Sequence, residues 1–180
     1  MSISWGIIGT GGIARAFASD VSQFTEMKIA AVGSRSLDKA NSFEFADEKF
    51  GSYEDLVASN VDAVYVATPH QLHCANTILA LNAGKPVLCE KPFAVNANEA
   101  KEMAESAAAN KQLLMEAMWT RYLPHIQKVR ELIGELGDIY MVNADHGQSL
   151  TQIQRLTDPN YAGGALLDLG IYPVSFIYMI

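Results

Sequence analysis

Ile3-Ser4-Trp5-Gly6-Ile7-Ile8-Gly9-Thr10-Gly11-Gly12-Ile13-Ala14 is the stretch that decides the fold. The run from Ile3 to Ile8 is mostly apolar, too short for a helix, and followed at once by glycine, so it reads as a buried strand. Gly9 to Ala14 fits G-x-G-x-x-A, and Ile13, Ala14, Phe17, Ala18 and Val21 then recur at helical spacing. Strand, glycine turn and helix in this order are the context that gives the motif meaning as a dinucleotide cradle. Gly9 allows the tight turn, Gly11 lets the backbone approach a pyrophosphate, and Ala14 lets helix and strand pack closely. Thr10, Gly12 and Ile13 complete the loop, whose helix offers unpaired N–H groups to phosphates. Without a ligand the same stretch is only a glycine-rich turn.

The chain beyond it keeps alternating. Lys28 to Gly33 reads as a second strand, ending in Ser34-Arg35-Ser36 rather than in the Asp or Glu that suits the ribose hydroxyls of NAD. An arginine there can fork onto a 2′-phosphate and stack on adenine, which favours NADP, with NAD as the other choice. Ser36 is placed to cap a helix through Ala40 and Phe43, and Ser52 with Asp55 to cap another around Leu56 and Val57. The charged segment Glu44 to Phe50 has room for a short third strand. Ala63 to Ala67 is a clear strand that stops at Thr68-Pro69-His70, and a helix carrying Leu72, Ala75, Ile78 and Leu79 ends at Gly84.

Gly84-Lys85-Pro86-Val87-Leu88-Cys89-Glu90-Lys91-Pro92 then sends a short strand to the same edge of the sheet. There it delivers Glu90 and Lys91, and a lysine beside a partly desolvated cofactor can serve in proton transfer. A surface lysine paired with Glu90 is the plainer reading of the tripeptide alone. Asn96 and Glu99 start a helix reaching Asn110, and Gln112 to Met115 is a further strand. Alternating strands and helices imply an α/β doubly wound parallel sheet of Rossmann type, with the glycine loop, Arg35, Thr68-Pro69-His70 and Glu90-Lys91 on one edge. We place this dinucleotide-binding domain at 1–118 and the beginning of a second α+β domain at 119–180.

The second part has a different texture. Leu123 to Leu136 reads as an amphipathic helix, Asp138 to Ala144 as a strand and Gln148 to Tyr161 as loop. After Gly163-Gly164, a helix would put Asp168 and Tyr172 on one face at i, i+4, with Pro173 at a kink or break.

Composition narrows the classes. The 180 residues are 49% hydrophobic and 18% charged, with a formal net charge of −7 that disfavours nucleic acid as a partner. Cys74 and Cys89 lack metal-ligand spacing, so no metal is expected and they read as buried thiols of a reducing compartment. Met1 to Gly6 is no signal peptide, and no apolar run is expected to span a membrane, which makes the cytoplasm the expected location.

These motifs together resemble the glucose–fructose oxidoreductase / inositol dehydrogenase (Gfo/Idh/MocA) family. The resemblance is carried by Gly9 to Ala14, by Ala67-Thr68-Pro69-His70 with His73, by Glu90-Lys91-Pro92, and by Gly163-Gly164 followed by Asp168-x-Gly170-x-Tyr172. Leu114 to Tyr122 and Gly164 to Tyr172 resemble the branch of dimeric dihydrodiol dehydrogenases, also described as NADP-dependent D-xylose dehydrogenases. The resemblance implies Lys91 as catalytic lysine before a cis Pro92, a catalytic Tyr172, and Asp168 as a substrate-pocket carboxylate with a catalytic part. It also implies that Trp119 and Arg121 border the pocket. It further implies hydride transfer between NADP and a CH–OH carbon of a cyclic polyol, a pyranose such as D-xylose, or a trans-dihydrodiol. The full-length protein, of which 119–180 would be only the start of the second domain, is then expected to be a homo-oligomer. The alternatives are an inositol- or sugar-type dehydrogenase of the same family, and a non-catalytic NAD(P)-binding sensor.

Overall fold

The computed structural model describes residues 2–180. The chain divides into two compact units, Met1–Glu116 and Ala117–Ile180.

In the first unit, β1 (Ile3–Ile8) leads through the glycine loop into α1 (Gly12–Val21). Then follow β2 (Met27–Gly33), α2 (Leu37–Asn41), β3 (Glu48–Phe50) and α3 (Tyr53–Ala58). Next come β4 (Ala63–Val66), α4 (His73–Asn82), β5 (Val87–Cys89), α5 (Ala97–Asn110) and β6 (Leu114–Glu116). The six strands form one sheet in the order β3-β2-β1-β4-β5-β6, and every neighbouring pair is parallel. The order reverses between β1 and β4, the switch point at which doubly wound sheets open a ligand crevice.

Near-continuous apolar strands are what a sheet covered on both faces requires. Ile7, Ile8, Val32, Val64 and Val66 are fully buried, and α-helical Leu56, Leu81 and Met103 fill the layers against them. Helix starts are set locally. Ser52 accepts from the Asp55 N–H at 3.1 Å, and Asn96 accepts from the Glu99 N–H at 3.0 Å. Ser36 occupies the N-cap position of α2 without a side-chain cap bond, contrary to the sequence expectation. Its helix is only five residues long, and the residue lines the cavity described below.

The second unit is helical where a helix is expected. Residues Pro124–Leu132 form α6, and a tighter turn, Ile133–Leu136, follows it. Asp138 to Ala144 corrects the sequence reading: it joins no sheet among the described residues. An alternating stretch becomes a strand only when a neighbour takes its backbone hydrogen bonds, and this unit offers none. The segment read as loop holds two short turns, α7 (Gln154–Thr157) and Pro159–Tyr161. A widened π-type turn, Leu166–Gly170, then runs into α8 (Ile171–Met179). Pro173 sits inside α8 instead of ending it; lacking an N–H, it follows directly on the widened turn, a common companion of irregular helix hydrogen bonding.

One stretch, Pro159–Met179, is long and apolar enough to cross a membrane by length and composition, which corrects the expectation that none is. Its unbroken helix begins only at Ala165, after Gly164 at φ +114°. At 1.5 Å per residue, Ala165 to Met179 spans about 22 Å, short of the roughly 30 Å of a hydrocarbon core.

Candidate active site

The strand ends of the first unit build a cradle at one edge of its sheet. Gly9 donates to the Gly33 carbonyl at 2.9 Å, Ala67 to the Ile8 carbonyl at 2.9 Å and Glu90 to the Val66 carbonyl at 3.0 Å. These bonds bring the loops after β1, β2, β4 and β5 together. Gly9 has φ +111°, and a Cβ there would lie 2.7 Å from the Ala67 carbonyl oxygen, so this turn requires glycine. A Cβ on Gly11 would meet nothing within 4 Å. The backbone is therefore bare where a phosphate would approach. Ala14 is fully buried at the helix–sheet contact, and the first turn of α1 carries no acidic side chain to repel an anion.

A cavity of about 410 Å³ opens over this loop. Of the residues singled out from sequence, it gathers Gly9, Thr10, Gly11, Ser34, Arg35, Thr68 and Pro69. Gly12, Ile13 and Ala14 lie along the first turn of α1 and do not line it. Ser36, Lys39 and Tyr53 also line it and were not singled out as ligands. The signal for Lys39 was present: it lies three residues after Ser36, one turn along the helix that Arg35 introduces. Arg35 lies close enough to Tyr53 to lower its pKa by charge and hydrogen bonding, while burial, the larger effect, pushes the phenol up. Two cations and a tyrosine thus surround the part of the cavity beyond β2. Bare glycine backbone, a helix N-terminus and these cations fit the pyrophosphate and adenosine end of a dinucleotide.

His70, Glu90 and Lys91 do not line that cavity. The Lys91–Pro92 bond is cis. Glu90 faces inward: its Oε1 accepts from the Tyr65 hydroxyl, and its Oε2 accepts from the Lys91 backbone N–H at 3.1 Å. His73 spans the turns from below, with Nδ1 2.8 Å from the Pro92 carbonyl and Nε2 2.9 Å from the Thr68 carbonyl. Its ring packs edge-on against His70, 5.8 Å between centroids. Burial pushes the His73 pKa down, opposed by those two carbonyls. Cys74 and Cys89 are free and buried, and burial pushes the Cys89 thiol up to about 12. A thiol held there is an inert packing group.

The second unit has a separate cavity of about 420 Å³, lined by Arg121, Asn143, Asp145, His146, Tyr172 and Ser175 among others. Trp119 Nε1 donates to the Tyr172 hydroxyl at 3.1 Å, and Arg121 Nε donates to Ser175 Oγ at 2.8 Å. The His146 ring lies on the other side, 5.0 Å from Tyr172 between centroids. Trp119, Arg121 and Tyr172 are therefore brought together as expected residues, and His146 is an addition that sequence spacing did not reveal. Asp168 is placed differently. It is buried, lies 3.7 Å from Arg155, and lines a smaller cavity of about 180 Å³ with Gln148 and Thr151. The widened turn between Asp168 and Tyr172 alters the i, i+4 spacing on which a shared face depended. Among the described residues no group of three His, Cys, Asp or Glu side chains is arranged to hold a metal ion.

Comparison with known proteins places this geometry in a family. Residues 3–118 match the model described as "Oxidoreductase family, NAD-binding Rossmann fold", and residues 126–180 match that of the GFO/IDH/MocA C-terminal domain. The chain is 44% identical over 205 residues to a D-xylose 1-dehydrogenase (NADP(+)) from Hypocrea jecorina, covering 98% of this chain and 52% of that protein. It is also 44% identical over 188 residues to a trans-1,2-dihydrobenzene-1,2-diol dehydrogenase from Mus musculus, covering 100% of this chain and 56% of the relative. The chain thus spans about half the length of the curated relatives it matches. Among solved structures, a 3-ketoreductase variant from Actinomadura kijaniata, crystallised with TDP-benzene and NADP, superposes with a TM-score of 0.81 at 30% identity. That match covers 97% of this chain and 56% of the reductase. A scyllo-inositol dehydrogenase from Lactobacillus casei shares the fold at TM-score 0.88 and 22% identity, over 99% of this chain and 56% of that one. With both family models matched in chain order, and with the glycine loop and strand-end cradle the first one describes, the chain belongs to the Gfo/Idh/MocA oxidoreductases.

Proposed function

We propose that this chain carries the cofactor domain and part of the substrate domain of an NADP-dependent dehydrogenase. Its substrates would be a pyranose sugar such as D-xylose, a cyclic polyol or a trans-dihydrodiol. The observation that carries the reading is the cavity over the glycine loop, where Arg35 and Lys39 stand together with Ser34 and Ser36. Two cations with hydroxyl donors suit a 2′-phosphate, and among the described residues no carboxylate lines the cavity to take the ribose hydroxyls of NAD.

The dinucleotide would supply hydride acceptance and donation at its nicotinamide carbon. The chain's own residues supply binding, orientation and a proton path. The loop Gly9 to Gly11 and the first turn of α1 would hold the pyrophosphate. Tyr172 would take the proton of the substrate hydroxyl during oxidation, with Trp119 donating to its oxygen and so steadying the phenolate. Lys91, at the strand-end edge of the first unit, would serve in proton transfer beside the cofactor. Arg121 would border the substrate. Asp168, paired with Arg155 in the smaller cavity, would contribute a substrate-side carboxylate group. Retention of Lys91, Asp168 and Tyr172 together favours an enzyme over a nucleotide sensor. The two buried free thiols support a reducing compartment such as the cytoplasm.

The test is turnover by the full-length protein. D-xylose and trans-dihydrodiols are each assayed with NADP⁺ and NAD⁺, beside a Lys91→Ala variant. Reduction of NADP⁺ with one of these substrates, lost in Lys91→Ala, supports the reading. Cofactor binding without turnover on any such alcohol would point to the sensor.

A further inference from the structure

Glu90 is a buried carboxylate whose role is not explained by the cofactor cradle. It is 9% exposed, and Tyr65 beneath it is 1% exposed. Tyr65 sits on β4 between Val64 and Val66, which point to the other face of the sheet. Its ring stacks on Phe17 of α1, 4.1 Å between centroids and 29° between planes. Phe17 in turn meets Trp5 of β1 edge-on at 5.4 Å. A phenylalanine could fill that apolar slot equally well. Among the described residues the hydroxyl has one hydrogen-bond partner, Oε1 of Glu90, to which it donates. The second carboxyl oxygen of Glu90 then accepts from the Lys91 backbone N–H at 3.1 Å. A continuous series of contacts therefore runs from the helix that opens the cofactor loop, through Phe17, Tyr65 and Glu90, to the backbone of Lys91.

Two donors on one buried carboxylate favour its ionised form, whereas burial opposes it. The charged and titratable groups that act on Glu90 are Tyr65 from β4, Cys89 of β5, Lys91 in the following turn and Glu116 from β6. Burial is the largest influence and pushes Glu90 up; Tyr65 and Lys91 pull it down, and Glu116 adds to the rise. Protonation of Glu90 removes the charge that draws in the Lys91 amide.

We propose that Tyr65 is a positioning residue for Lys91, acting by holding the Glu90 carboxylate that fixes the Lys91 backbone. The inference rests on the reading of Lys91 as the proton-transfer lysine. Its consequence is an acid limb of turnover that belongs to Glu90. Removing the Tyr65 hydroxyl takes away one of two donors, destabilises the carboxylate, and moves that limb to higher pH.

The experiment is a set of pH–rate profiles on the full-length protein. The variants are Tyr65→Phe, Glu90→Gln, the double variant and Lys91→Ala, with NADPH affinity measured alongside by nicotinamide fluorescence. Tyr65→Phe should lower kcat about tenfold on the acid side and shift the limb upward by about one pH unit, with NADPH affinity within about threefold. Glu90→Gln should abolish the limb, and adding Tyr65→Phe to it should change kcat no further. If Tyr65→Phe only loses thermal stability and keeps its limb and rate, Tyr65 is a packing residue and the proposal is overturned. A further loss in the double variant would equally show that it does not act through Glu90. Should Tyr65→Phe fail to fold, Glu90→Gln decides: a retained acid limb overturns the proposal. Lys91→Ala separates the two levels. An active Lys91→Ala removes the reading of Lys91 and this inference with it. An inactive one beside an unchanged Tyr65→Phe removes this inference alone.

Discussion

Tyr65 and Tyr140 show how differently the two units use the same side chain. Tyr65 is 1% exposed, stacked on a helix and hydrogen-bonded at the centre of a six-stranded sheet. Tyr140 is 92% exposed, on an alternating stretch that joins no sheet. The contrast is general. Among the described residues, Met118 and Leu156 are the buried hydrophobics of the second unit, and all the others belong to the first. Meanwhile Leu136, Met141, Leu166 and Tyr178 stand exposed in the second. A sheet covered on both faces lets the first unit bury its apolar residues on its own, whereas the second unit keeps apolar faces of the kind that normally pack against further protein. The lesson is that the first unit is a self-sufficient folding problem and the second is not.

The sharpest way to break this comparison is to separate the units. Residues 1–116 are expected to unfold cooperatively in urea, and residues 117–180 to show no cooperative transition; a sigmoidal transition for the latter would refute the contrast. Next in size are paired truncations. Leu56→Ala, at a fully buried position, should cost about 2–5 kcal/mol. Tyr140→Ser should stay within about 0.5 kcal/mol. Both are read from denaturant midpoints of the same chain, and equal costs would overturn the account of where the core lies.

Acid should also act on the first unit in particular. The buried His73 has its pKa pushed below that of the unfolded chain, so the unfolded state takes up its proton first as pH falls. The stability linked to neutral His73 is present above pH about 6.5 and is lost below it. Glu90, pushed up by burial, slopes the other way, losing stability as pH rises through its raised pKa. The informative quantity is therefore the difference between wild type and His73→Gln in urea midpoints from pH 7.5 to 5. The wild type should fall more steeply, and parallel slopes would remove His73 from the account. The smallest effect is at the end of α5, where Lys111 adopts the left-handed conformation at φ +53°. Lys111→Gly should raise the thermal midpoint, by about 1 kcal/mol of relieved strain.

The same contrast governs what the sequence disclosed. In the first unit, glycine and proline punctuate apolar runs, so Gly9, Thr68-Pro69 and Lys91-Pro92 announce the strand ends that carry the cradle. Ser52 and Asn96 announced helix starts for the same local reason. Lys39 stands one turn beyond Ser36 and was legible from that spacing, whereas Tyr53 reaches the cavity only through the packing of α3 near β2 and β3. Tyr65 and Glu90, 25 residues apart, meet only because β4 and β5 are neighbours. In the second unit, Asp138 to Ala144 has the alternation of a strand, yet alternation specifies a face and not a partner. The widened turn at Leu166–Gly170 has no periodic signature, and so the separate settings of Asp168 and Tyr172 could not be read from their spacing.

If the strand-end cradle of the first unit is an NADP site, titration with NADPH and NADH, followed by nicotinamide fluorescence, will separate the two cofactors. NADPH should bind at least about tenfold tighter than NADH, a difference of about 1.4 kcal/mol, and the preference should collapse in Arg35→Ser. Equal affinity for the two cofactors, or a preference unchanged in Arg35→Ser, would contradict the NADP assignment.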